Sequence, residues 1–262
     1  MTTKHFYVSL RSDASANFHF SNTASRFVAV LPQPGKLKGD DWEVALKEIA
    51  LPCVSNVRRC EHWLRWNGVK IGLRDGHYND VSDVLEALAK RINNAGRRDW
   101  PSTCVIYSPD SWWRNSECDL NIFLYGPNLV YFEFRNKKPR LVRFSPALAE
   151  MLGLDDEEYS NPHAIGSSRS CRVHVPTTAY VYADIVRPVT VGDDSVPLLR
   201  TVVLNSKRTD RQLVDYESPI YVPTNDTTSF RSIEVNITTD VGKPMSFGAG
   251  NASLLLHFRR AT

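Results

Sequence analysis

Apolar and polar residues alternate with period two near both ends of this chain. Ile233, Val235 and Ile237 alternate with Glu234 and Asn236, the pattern of a half-buried strand. Asp240 to Pro244 then supplies turn chemistry, and Ser253 to Phe258 reads as a second apolar run. Near the start, "KHFYVSL" puts Phe6, Val8 and Leu10 on one face, and "RFVAVLPQP" puts Phe27, Val30 and Leu31 ahead of a Pro-Gly break. "DWEVALKEIALP" sets Trp42, Val44 and Leu46 on one parity. Val44, Ala45, Glu48 and Ile49 would also fit a helical face, but the run is short and bounded by Gly39 and Pro52, which favours a strand. The expected inward face comprises Trp42, Val44, Leu46, Ile233, Val235, Ile237, Leu254, Leu256 and Phe258.

The middle of the chain changes period. "HWLRWNGVKIGL" predicts a hairpin around Asn67-Gly68. In "NDVSDVLEALAKRINNAG", Val81, Val84, Leu85, Leu88 and Ile92 form a helical stripe, with Asn79 or Ser82 able to cap its start and Gly96 after its end. The segment from Cys118 to Phe144 predicts strands separated by turns at Gly126-Pro127-Asn128 and Lys137-Lys138-Pro139. "SPALAEMLGL" predicts a short helix with Ser145 as cap, Pro146 in first position and Gly153 past its end. Strand patterns then return in "SCRVHVP", "AYVYADIVRPVTVG", "LLRTVVL", "SPIYVP", "SIEVNITT" and "SLLLHF".

This order implies a mainly β fold in which 1–57 and 166–262 form one sandwich and 58–165 is a small α/β insertion. The first zone is too short to hold a core alone, so it must pair with the last. Long-range pairing of this kind is what a jelly roll does, and the final strand is expected to close the sandwich beside the first.

Composition narrows the function classes. The 262 residues are 42% hydrophobic and 23% charged, ordinary for a globular chain with ample core. Acids (29) nearly balance Lys and Arg (32), so charge alone does not point to nucleic acid. Five cysteines, Cys53, Cys60, Cys104, Cys118 and Cys171, show no framework spacing, and free thiols are expected. The N-terminal stretch lacks an apolar core for a signal peptide, and no run reaches the length of a membrane span. The expectation is a soluble protein made in the cytosol.

Candidate chemistry is sparse. Histidines 5, 19, 62, 77, 163, 174 and 257 show neither H-x-H nor H-E-x-x-H spacing, and the single histidine of "RVHVP" reads as structural. No C-x-x-C, G-x-S-x-G, P-loop or G-x-G-x-x-G occurs. Asp155, Asp156, Glu157 and Glu158 sit together, but they follow a helix end without a partner motif and read as a solvated loop. Basic pairs at Arg58-Arg59, Arg97-Arg98, Lys137-Lys138 and Arg259-Arg260 share no single face. Trp100, Trp112 and Trp113 offer stacking surfaces for bases or an anchor at a protein interface. The sequons at Asn225, Asn236 and Asn251 would need a secretory route, which nothing in the sequence signals. No catalytic, cofactor-binding or metal-binding residue is assigned, and no cofactor is expected.

Several stretches together resemble a known family: "FYVSLRSDASANFHFSNTASRFVAVLPQPGKLKGDDWEVALKEIALP", "LRDGHYNDVSDVLEALAKRIN", "LVRFSPALAEMLGL", "AYVYADIVRPVTVGDDSVPLLRTV" and "FRSIEVNITTDVGKPMSFGAGNASLLLHFRR". They look like the minor capsid, or penton, proteins of Polinton/Maverick elements and the related adintoviruses. The resemblance covers most of the chain and is weakest across 96–120 and 205–219. It implies a single jelly roll with no catalytic residues, assembling as a homopentamer at the vertices of an icosahedral double-stranded DNA virus capsid. Its neighbours would be double jelly-roll major capsid proteins, with a host receptor or fibre met through the insertion. The protein would reside in the virion, after synthesis in the cytosol and assembly in the nucleus. Neither membrane nor specific nucleic acid is an expected partner. Three other readings compete: a carbohydrate- or receptor-binding jelly roll that builds no shell, a jelly-roll enzyme, and a binder of single-stranded nucleic acid.

Overall fold

His5 pairs with Arg259, and the register runs on without a break to Arg11 opposite Ser253. The computed structural model describes residues 5–37, 41–94, 103–106, 118–126, 128–135, 139–205, 210–225 and 229–261. Three strands come first: β1 (His5–Arg11), β2 (Arg26–Lys36) and β3 (Trp42–Leu51). Next are β4 (Trp63–Trp66), β5 (Val69–Gly72), α1 (Val81–Asn93), β6 (Thr103–Ile106), β7 (Leu120–Tyr125), β8 (Leu129–Phe134), β9 (Leu141–Phe144), α2 (Pro146–Met151), β10 (Glu158–Ser160) and β11 (Ala164–Gly166). The remainder is strand: β12 (Thr178–Ala183), β13 (Val189–Val191), β14 (Asp194–Val196), β15 (Leu198–Val203), β16 (Gln212–Asp215), β17 (Val222–Pro223), β18 (Ser229–Thr238) and β19 (Ser253–Arg260). The fold is mainly β, with several antiparallel sheets and little helix. The chain divides into two units, Met1–Val54 with Pro176–Thr262, and Ser55–Val175.

In the first unit one sheet runs β1-β19-β3-β16, with β17 also on β3, and a second runs β15-β12-β18-β2. Their inner faces supply one core cluster that contains every residue of the expected inward face, from Trp42 to Phe258. β3 keeps both halves facing that core through a bulge. Glu48 lies opposite Leu255 and Leu46 opposite Leu256, which leaves Lys47 as an extra residue. Val44 and Leu46 therefore point inward before the bulge, and Ile49 and Leu51 point inward after it, despite their opposite parity.

β2 does not stop at its Pro-Gly stretch. Pro32 and Pro34 lie within a strand that forms the end of its sheet, where a missing N–H removes no ladder bond on the open side. Gly35 lies opposite Phe230, and a Cβ there would stand 2.4 Å from that ring's Cζ. The Phe230 ring in turn stacks on Phe258, with centroids 5.4 Å apart. Glycine at this position lets an aromatic ring cover the backbone.

The second unit has its own core, from Val57 to Cys171. One sheet runs β10-β9-β4-β5 and another β11-β8-β7-β6, in which β6 pairs parallel to β7. β4 and β5 form the expected hairpin. Asn67 (φ 44°) and Gly68 (φ 86°) both take positive φ, as a twisted two-residue turn demands. α1 buries Val84, Leu85 and Leu88, but its cap is Asp80 rather than Asn79 or Ser82. Asp80 has the extended backbone a cap needs, and its carboxylate accepts from the Asp83 N–H at 3.0 Å. The Asp83 side chain reaches past the cap and accepts from the Asn79 N–H at 3.0 Å, tying the preceding residue to the first turn. Thr103 ties β6 to the far end of the helix through Ala89 O at 3.1 Å and Asn93 Oδ1 at 2.9 Å. α2 follows expectation: the Ser145 Oγ accepts from Leu148 N at 3.3 Å and from Trp63 N at 3.1 Å.

Other expectations need correction. "SCRVHVP" forms no strand, because its alternating residues meet no partner ladder; only Cys171 within it is buried. The strand in "SPIYVP" shrinks to Val222–Pro223. Cys53, Cys60 and Cys171 are free as expected, whereas Cys118 is disulfide-bonded. Gly96 and the turn residues Pro127, Lys137 and Lys138 lie outside the described residues.

Candidate functional site

The outward parity of the β1-β19-β3 sheet gathers aromatic and basic side chains. His257 lies across from Tyr7 on one side and Ala45 on the other. Its ring stacks on Tyr7, centroids 4.3 Å apart and planes within 11°. Tyr221, just before β17, shares a hydrogen bond with His257 Nδ1 at 2.7 Å. The Arg259 guanidinium sits 3.4 Å over the Tyr221 ring and grips the Glu43 carboxylate at 3.0 and 3.1 Å. Lys47, at the bulge, pairs with Asp215 at 2.8 Å and donates to Tyr216 O at 2.7 Å. This covering explains why Ala45 is fully buried although it points away from the core. Burial holds the His257 pKa below the ordinary imidazole value, and the positive charges of His5, Arg259 and Lys47 add to that effect. Its Nε2 is buried with no hydrogen-bond partner among the described residues. Aromatic faces, an arginine fork and fixed ion pairs equip this surface for contact.

The residues singled out by sequence do not converge. Asp155 bonds Ser168 and approaches Arg169 at 3.9 Å, while Glu158 faces Arg143 at 3.9 Å across the β9–β10 pair. Among the described residues no group of three or more His, Cys, Asp or Glu could hold a metal ion. His174, expected to be a structural histidine on a strand, is exposed and lies in no strand, whereas His62 takes a structural place in the second unit. It is buried, its Nδ1 accepts from Arg58 N at 3.1 Å, and burial depresses its pKa. Arg58 pairs with Glu61 at 3.5 Å, and the Arg59 N–H is bound by Asp75. Arg260 lies 5.9 Å from the Trp42 ring centroid. Asn225 and Asn251 tie distant segments of the first unit, donating to Asp184 O at 2.7 Å and to the Asp13 carboxylate at 2.9 Å. Arg97, Arg98, Trp100, Trp112 and Trp113 lie outside the described residues.

Sequence reasoning missed the Tyr7–His257–Tyr221 cluster. The signal was the second parity of β1 and β19, which carries His5, Tyr7, His257 and Arg259. It becomes legible only once those strands are known to be neighbours.

The flanks of the first unit differ from its faces. The loop after β1 runs along the open edge of β2. Asn22 bonds both Val28 N and Val28 O at 3.0 Å, and the Ser15 Oγ accepts from Val30 N at 2.9 Å. Phe18 and Phe20 project from this loop. Near the far ends of the sheets, Gln212 of β16 exchanges two hydrogen bonds with the Asn205 backbone, at 2.9 and 3.0 Å. Val203 and Leu213 are exposed beside that clasp.

No family model matches this chain, and no curated protein matches it. Among solved structures, it is similar to the selenomethionine-labelled mavirus penton protein, at 12% identity and a TM-score of 0.43 over 99% of this chain and 100% of that one. It is also similar to a chain of the Sputnik virophage structure, at 8% identity and a TM-score of 0.44 over 98% of each chain. No helix among the described residues is long and apolar enough to cross a membrane.

Proposed function

We propose that this protein is a structural minor capsid (penton) protein without turnover activity. It assembles as a homopentamer at the vertices of an icosahedral double-stranded DNA capsid, beside double jelly-roll major capsid proteins. The supporting observation is the strand order. β16 and β17 pair with consecutive stretches of β3 and act as one interrupted strand. With the separate two-stranded β13–β14 sheet set aside and the remaining strands of the first unit numbered in order, the sheets read 1-8-3-6 and 2-7-4-5. This order supports a jelly roll, a hairpin wound twice into two facing sheets, as in many capsid proteins. In this reading the α/β unit is an insertion between the third and fourth strands, available for a fibre or a host receptor. The stretches that resemble Polinton and adintovirus pentons support the vertex role. Sedimentation equilibrium of the purified protein tests the reading: a discrete pentamer is expected, and a strict monomer absent from fivefold vertices of particles would refute it.

The Tyr7–His257–Tyr221 surface favours a second reading, a glycan- or receptor-binding jelly roll that builds no shell. Tyr7 remains more than half exposed beside a fixed arginine, a surface on which a sugar ring could stack. A monomer that binds a glycan array, and loses that binding with Tyr7→Ala, would establish it over the first.

A further inference from the structure

We infer that copies of this chain join head to tail, with the Phe18–Phe20 loop of one copy packing on the Val203–Leu213 edge of the next. The inference rests on the ring assembly proposed above and assigns its contact surfaces.

Phe18 is 77% exposed and Phe20 89% exposed. Two phenylalanines two residues apart, both turned to solvent, are unusual on a loop that is itself held in place. This loop is held by the three hydrogen bonds to the β2 edge and by Phe18 N and His19 N, which both donate to Ser15 O at 2.9 Å. Apolar groups fixed outward on an ordered support mark a contact surface, since their ordering cost is already met before a partner arrives.

A second such surface exists on the opposite flank. Val203 is 79% exposed at the end of β15, and Leu213 is 61% exposed on β16. β15 lies at one end of its sheet and β2 at the other; β16 lies at one end of its sheet and β1 at the other. Val202 points into the core and Val203 away from it; Gln212 is buried and Leu213 is not. The two apolar side chains therefore flank the β15–β16 edge on its two outer sides. The Gln212–Asn205 clasp holds that edge in register.

The occupant follows from this arrangement. A closed ring needs two different patches on opposite flanks of one subunit, whereas a two-fold dimer needs one patch that meets itself. Here the patches differ in chemistry and shape, an aromatic projection on one flank and an aliphatic-lipped edge on the other. The charges beside the loop are internally neutralised, Arg11 by Asp13 at 2.7 Å and Arg26 by Glu234 at 3.0 Å. The loop thus brings these charges to the contact already paired, and its own contribution is the two phenylalanine rings. The loop also occupies Val28 N, Val28 O and Val30 N on the β2 edge, so copies meet there through side chains and not by extending that sheet.

Two double variants test this. Phe18→Ser with Phe20→Ser removes the projection, and Val203→Ser with Leu213→Ser removes the edge. All four side chains are exposed, so each variant should melt like the parent. At a concentration where the parent is fully assembled, each variant alone should sediment as a monomer. Mixed, they should form a one-to-one dimer and nothing larger, because each copy retains the patch the other lacks. That result supports the inference whatever the parent's ring size; a parent ring other than a pentamer would sink the pentamer reading alone. Variants that still form the parent ring would overturn the inference and leave the vertex reading standing. Two monomeric variants that fail to combine would overturn the pairing of these patches. A parent that is monomeric at every concentration would overturn both.

Discussion

The two units reach buried cores by opposite routes. In the first, β1 pairs with β19 and β2 with β18, from opposite ends of the sequence. In the second, β4 meets β5 across a two-residue turn and β8 follows β7 after a short one, and its more distant pair, β4 with β9, still spans far less chain than β1 with β19. Closing a long loop costs more conformational entropy than closing a short one, and distant pairings slow folding. The difference teaches where order should begin. If the local unit folds first, it shortens the effective loop between β3 and β12 and lowers the cost of closing the sandwich.

The largest test is Val235→Asp. Val235 is fully buried between its sheets, and an unpaired carboxylate there should cost about 3–5 kcal/mol, a large share of a domain's stability. The sandwich should unfold while α1 amides stay protected from hydrogen exchange; simultaneous loss of both would show that the units fold as one. Gly35→Val comes next, since its side chain must displace the Phe230 ring. About 1–3 kcal/mol should be lost in urea unfolding of the sandwich, with the second unit's transition unmoved. Ser145→Ala strikes the other unit. It removes the α2 cap and the Trp63 N–H acceptor and should cost about 1 kcal/mol, with Ser145→Thr recovering part of it.

The smallest effect is that of acid, and each unit has a histidine to register it. His257 in the first and His62 in the second both have pKa values depressed by burial. A histidine whose folded pKa lies below its unfolded value of 6.5 contributes its full stabilisation above that value. The contribution falls as pH drops through the folded value, because the unfolded chain takes up the proton first. Both units should therefore weaken below about pH 6.5. His257→Phe should flatten that slope for the sandwich and leave it unchanged for the second unit.

Period-two alternation exposed the sandwich core because its strands are wetted on one face only, so Ile233, Val235 and Ile237 declare their side. Alternation does not declare a partner: "RVHVP" alternates as well as any strand and joins no described sheet. Local chemistry placed α2 through Ser145 and Pro146 but misjudged α1, where Asn79, Asp80 and Ser82 all suit a cap. The choice depended on which residue held an extended backbone. β2 passed through a Pro-Gly stretch because an edge strand tolerates missing donors, and edges are a property of the sheet. The outer aromatic cluster lay hidden for the same reason. Tyr7, Tyr221 and His257 come from three separate segments and meet only after the sheet has set their register.

The bulge at Lys47 also bears on insertions and deletions. Losing one residue from a strand normally turns everything beyond it inside out. β3 has one place where this is not so, the bulge, where loss of either Lys47 or Glu48 restores the alternation. Without Lys47, Glu48 would take its outward place, and Ile49 and Leu51 would fall into regular alternation with Trp42, Val44 and Leu46. A deletion there would forfeit the bonds to Tyr216 and Asp215 and still leave the hydrophobic lettering readable. Deleting Val44 would instead shift Trp42 onto the wrong parity relative to Leu46. The bulge thus works as a built-in spare letter, the point where β3 can change length without changing meaning.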